Sequence, residues 1–158
     1  MNSSFTLEKL DNVKIILKNY KLKIKKMIDI MLEMPELKSS KIFCDEISKI
    51  RFDVSFCNDE TIHQINKEYR KKDSPTDVIT FSLFIDDPNA IVFRRSADLG
   101  QIIISVDTAK KQAKETLEKE ILTLICHGIL HLFGFDHLTK KDYDFVVGIQ
   151  NQVIKNYE

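Results

Sequence analysis

Residues 120–133, EILTLICHGILHLF, are apolar almost all the way round a helical wheel, and this constrains the fold more than any other stretch. A helix with no polar face belongs inside the molecule, so other elements must cover it on several sides. Yet it carries two of the chain's four histidines, His127 and His131. Four residues apart, they stack on one face of the helix. A buried imidazole without a partner costs on the order of 1–3 kcal/mol, so each needs a hydrogen bond or a metal. Gly134 is the expected exit, because glycine takes the positive φ that ends a helix. The turn then brings a third histidine, His137, back toward the first two.

A chain of 158 residues can bury roughly two thirds of the surface it exposes when unfolded, enough for one core over residues 1–158. With 43% hydrophobic and 30% charged residues and only four glycines and three prolines, it reads as globular and not disordered or fibrous. No stretch approaches the roughly 20 apolar residues of a membrane span, and the N-terminus lacks a signal-peptide core, so a cytoplasmic protein is expected. Cys44, Cys57 and Cys126 form no CxxC pair and suggest reduced thiols. A net charge of zero argues against attraction of the whole molecule to nucleic acid. The halves differ, however: residues 1–72 carry 15 Lys plus Arg against 11 Asp plus Glu, the remainder 9 against 13. A solvated lysine-rich helix explains that imbalance as well as a basic face does.

Hydrophobic periodicity places a first strand at 13–17, VKIIL, and a helix from Lys21 to Met34 ended by Pro35. IRFDVSFC, 50–57, alternates as a half-buried strand does, and Asn58 or Asp59 caps a short helix after it. Ser74-Pro75 turns the chain into a strand from Val78 to Ile85, followed by a loop over 86–98 and a strand in GQIIISVD. Asp107 is the expected cap of TAKKQAKE, and further helices run from about Leu117 to Phe133 and about Lys140 to Lys155. The irregular mix predicts an α+β fold: a small mixed sheet of about four strands with helices packed on it. The metal site would sit at the end of the buried helix.

Three neutral imidazole nitrogens leave a fourth tetrahedral position open, as catalytic zinc sites do. The HxxxH spacing is that of zinc peptidases, but Gly128 stands where those enzymes carry their glutamate base. Core histidines bonded to carbonyls are the alternative, against which the third histidine weighs. His63 lies outside the pattern and reads as structural. Cys126 points about 100 degrees away from His127 and makes a poor ligand. Asp136 either orients a ligand or shapes the turn.

Taken whole, HGILHLFGFDH resembles the signature HGxLHLxGYDH of the YbeY family of bacterial ribosomal-RNA maturation endoribonucleases, departing only at Phe135. NKEYRKKDSPTDVITF, residues 66–81, resembles a second family segment at Asn66, Tyr69, Arg70, Asp73, Pro75, Thr76, Asp77, Val78 and Phe81. LGQIIIS, 99–105, is similar to a third, with Gln101 replacing an acidic residue, and Ser82 stands where proline is usual. The matches cover residues 50–137.

The resemblance implies one zinc ion per chain on His127, His131 and His137, with Arg70 lining the same cleft as a catalytic residue. It implies a metal-dependent endoribonuclease acting on single-stranded RNA, in 16S rRNA 3′-end maturation and ribosome quality control with the small ribosomal subunit. Arg70 suits that role because a planar guanidinium grips phosphate through two parallel hydrogen bonds. On sequence alone, an ion pair with Asp73 or Asp77 competes for it. Lys71, Lys72, Arg94 and Arg95 are candidate RNA-backbone contacts. Two other functions stay open: a metallopeptidase-like hydrolase with a base from elsewhere, and a ribosome-assembly factor in which zinc only staples the helix end. Three imidazoles also suit nickel, copper or iron.

Overall fold

The computed structural model describes residues 1–9, 20–86 and 92–157. In chain order the elements are β1 (Asn2–Lys9), α1 (Tyr20–Glu33), β2 (Lys49–Cys57), α2 (Asp59–Arg70), β3 (Val78–Ser82), β4 (Val92–Phe93), β5 (Ser96–Ser105), α3 (Val106–Gln112), α4 (Leu117–Leu132) and α5 (Lys140–Tyr157). The sheet runs β1-β2-β5-β3, with β1, β2 and β5 parallel and β3 antiparallel to β5. Two-residue β4 also pairs antiparallel with β5. This is the mixed sheet of the α+β expectation. No helix among the described residues is long and apolar enough to cross a membrane.

The sheet's inner face follows from alternation. Ile50, Phe52, Val54 and Phe56 of β2 are buried while Arg51 and Asp53 face out. With Leu99, Ile102 and Ile104 of β5 they meet Ile24, Met27, Ile28 and Met31 of α1 and the apolar face of α4. Ile103 points the other way, into a small second cluster with Cys57, Ile62 and Ile79 under α2. As its composition required, α4 is interior: Ile121, Ile125, Cys126, Ile129, Leu130 and Leu132 are fully buried.

Several boundaries differ from the sequence reading, each for a local reason. The strand expected at 13–17 lies outside the described residues, and the first strand seen is the polar-looking NSSFTLEK, held parallel to β2. β3 stops at Ser82, because Leu83 to Asp86 turn away. The expected loop at 86–98 contains a hairpin. Arg94 and Arg95 take φ of 49° and 64°, close the turn and let β5 begin at Ser96. Ser105, not Asp107, caps α3, its hydroxyl accepting the Thr108 N–H at 3.3 Å. Asp107 instead accepts the Asp59 N–H at 3.0 Å and ties α3 to α2.

Gly128 fixes how closely α4 lies on the sheet. A Cβ there would stand 2.8–2.9 Å from three side-chain atoms of Ile102 on β5, inside van der Waals contact. The glycine is thus a packing residue. A glutamate at this position would be driven into β5 and not toward the histidines.

Candidate metal centre and active site

The end of α4 is closed by its own backbone. Gly134, at φ 98°, donates to the His131 carbonyl and Phe135 donates to the Leu130 carbonyl, both at 2.9 Å, which is the Schellman arrangement. The buried Ser40 hydroxyl donates to the Phe133 carbonyl at 2.6 Å. This exit swings His137 back over the helix, as its glycine predicted.

Ligand atoms of His127, His131 and His137 all lie within 4.8 Å of one another. The Nε2 atoms of His127 and His131 are 3.1 Å apart. Two nitrogens on one tetrahedral zinc at about 2.0–2.1 Å stand roughly 3.3 Å apart, so the observed spacing fits a shared divalent ion. Burial lowers the proton affinity of both half-buried rings. His127 is shifted down, offset in part by its hydrogen bond with Gln150. Burial and the neighbouring His127 and His137 push His131 down to about 4. Both therefore offer lone pairs at neutral pH. His127 Nδ1 lies 2.6 Å from Gln150 Oε1 on α5. Sequence reasoning missed Gln150, since nothing in the local pattern around residue 150 points across to α4.

The histidines open into a cleft of about 170 Å³ whose other walls are Arg70, Val78 and Thr80. Arg70, the last residue of α2, thus reaches the histidines from about sixty residues away in sequence. It makes no ion pair with Asp73 or Asp77 among the described residues. Asp73 instead lies 2.7 Å from His63 and 3.8 Å from Lys67, on the exposed surface. Asp77 accepts the Val78 N–H at 2.7 Å and the Gln112 amide at 2.9 Å. Lys71 at φ 58° ends α2 in a left-handed turn, its N–H donating to the Asn66 carbonyl. Arg95 donates to the Asp45 carbonyl at 2.8 Å, and Arg94 stacks on the exposed Phe93 ring.

The remaining candidates resolve locally. Cys126 is buried against Met31 and away from the cleft, and burial pushes its thiol up to about 12. Asp136 shapes the turn by accepting the His137 N–H at 2.7 Å, and stands 3.9 Å from His131 Nδ1. Gln101 points to the Ser55 hydroxyl at 3.4 Å and does not line the cleft. Ser82 reaches the His131 carbonyl at 3.5 Å, a bond that the proline usual there could not make. The cleft wall, among the described residues, offers imidazoles, a guanidinium and a hydroxyl but no carboxylate.

A family model described as Endoribonuclease YbeY matches residues 6–158. The chain belongs to the YbeY family. An endoribonuclease YbeY of Bacillus pumilus is 44% identical over 111 residues, covering 66% of this chain and 70% of the relative. One from Staphylococcus saprophyticus is 33% identical over 156 residues, covering 97% and 96%. The fold is also that of a solution structure from Thermotoga maritima, TM1509, with a TM-score of 0.61 at 25% identity, covering 98% of this chain and 89% of that one. The YbeY match spans both segments that meet at the cleft, the one ending in Arg70 and the one bearing the histidines.

Proposed function

We propose that residues 1–158 act as one metal-dependent endoribonuclease domain that cuts single-stranded RNA. Its target would be ribosomal RNA, in 3′-end maturation of 16S rRNA and quality control of the small ribosomal subunit in the cytoplasm. The observation that carries this reading is Arg70 facing the three histidines across one cleft, in a chain of the YbeY family. His127, His131 and His137 would hold one zinc ion, which when bound supplies Lewis acidity toward a phosphate oxygen. Arg70 binds the non-bridging oxygens and stabilises the charge that builds on them as the ester bond breaks. Thr80 offers a hydroxyl on the same wall. Among the described residues the cleft wall offers no carboxylate to serve as a peptidase's base, and Gly128 has a packing role. Gly134, Phe135 and Ser40 close the helix end through their own hydrogen bonds, which supports a metal with a role beyond stapling it.

Cleavage of a single-stranded RNA oligonucleotide by the zinc-loaded protein tests the proposal. Arg70→Ala should lower kcat by about 100- to 1,000-fold, the usual loss of one group that stabilises transition-state charge. Arg70→Lys should recover part of it, since charge remains but the bidentate fork does not. RNA cutting by Arg70→Ala at the wild-type rate would remove Arg70 from the mechanism.

A further inference from the structure

Gln150 sits on α5, whose buried Val146, Ile149, Val153 and Ile154 hold it against the core. Its amide oxygen lies 2.6 Å from His127 Nδ1. A neutral imidazole carries one N–H, and an amide oxygen only accepts. The bond therefore needs the ring proton on Nδ1 and leaves Nε2 as a lone pair. That Nε2 is the atom facing His131 at 3.1 Å.

We infer that Gln150 is a positioning residue for the metal site, its carbonyl oxygen holding His127 in the Nδ1–H tautomer that presents Nε2 as a ligand. The inference rests on the metal-binding reading above. A partner that fixes the tautomer of a ligating histidine also orients the ring and raises its basicity. Glutamine does so incompletely. Turned over, its NH2 would donate to Nδ1 and move the ring proton to Nε2, where it blocks ligation. A carboxylate can only accept, so glutamate at this position locks the competent tautomer.

The test uses the full chain stripped of metal, with zinc affinity read by competition against a chromogenic chelator. Gln150→Met, close in shape but unable to bond, should bind zinc about 10- to 100-fold more weakly. Gln150→Glu should bind at least as tightly as wild type. Metal-free melting of both variants, followed by circular dichroism, reports any loss of fold separately. In the metal-free wild type, nitrogen-15 NMR of the imidazoles should show His127 protonated at Nδ1. Zinc affinity of the Met variant within tenfold of wild type overturns the inference, as does a Glu variant as weak as Met or a His127 protonated at Nε2. A wild type that binds no zinc removes the metal reading itself, and the NMR tautomer then decides the role of Gln150 alone.

Discussion

Substituting Gly128 by alanine sets two opposed effects against each other, and the structure decides between them. Alanine is the better helix former by about 1 kcal/mol in a helix interior. Against that, the new Cβ would lie 2.8, 2.8 and 2.9 Å from Cδ1, Cγ2 and Cγ1 of Ile102, where carbon pairs normally rest at about 3.5–4.0 Å. Ile102 is fully buried between β2 and β3, pairing with Val54 and Thr80. Its β-branched side chain has little freedom at χ1 to swing clear. Overpacking of this kind costs about 1–3 kcal/mol, and three simultaneous overlaps on a stiff residue belong to the upper part of that range. After the helix gain is subtracted, Gly128→Ala should lose about 1–2 kcal/mol. For a chain of this size that lowers Tm by about 2–8 °C. Urea unfolding of the metal-free protein reads the difference. A double-mutant cycle with Ile102→Ala should show favourable coupling of about 1 kcal/mol or more, because the smaller partner removes the overlap. Gly128→Ala as stable as wild type, or stabilised by its helix propensity, would refute the packing role.

Ser40 and the buried histidines give two further outcomes. Ser40→Ala leaves the buried Phe133 carbonyl without its donor and the Ile42 N–H without its cap, and should cost about 1–3 kcal/mol in urea unfolding, where a loss near zero would show both bonds idle. The metal-free protein should lose stability on acidification, because burial lowers His127 and takes His131 to about 4, against about 6.5 when unfolded. Between those values the unfolded chain binds protons that the folded one refuses. Stability is therefore full above about pH 6.5 and falls as pH drops toward 4. The urea midpoint followed from pH 7 to 5 measures this, and His131→Gln should flatten the slope. An unchanged slope in that variant would contradict the buried, neutral histidine.

What was legible in the sequence was what a single element could state alone. The wheel of residues 120–133 gave an interior helix, and the i, i+4 histidines with Gly134 gave a cluster of three. Alternation in β2 and the Asn58 cap of α2 were equally local and correct. What failed depended on a neighbour in space. NSSFTLEK has few of the apolar marks of a strand and becomes one by pairing with β2. The Arg94-Arg95 turn lacks the Asn or Gly that signals a tight hairpin. Gly128 reads as a missing base until Ile102 is seen beneath it. Gln150 is invisible until α5 is laid beside α4. Arg70 stood between: its residue type suited phosphate, but only the fold separated it from Asp73 and Asp77 and turned it toward the histidines.

An open metal site on His127, His131 and His137 differs from a cluster of core imidazoles in what the purified protein holds. The deciding measurement is the metal content of the full chain beside that of a variant carrying His127→Ala, His131→Ala and His137→Ala. An open site gives one equivalent of zinc in the wild type and none in the variant, with the same circular dichroism spectrum for both. Equal metal in the two proteins would contradict it.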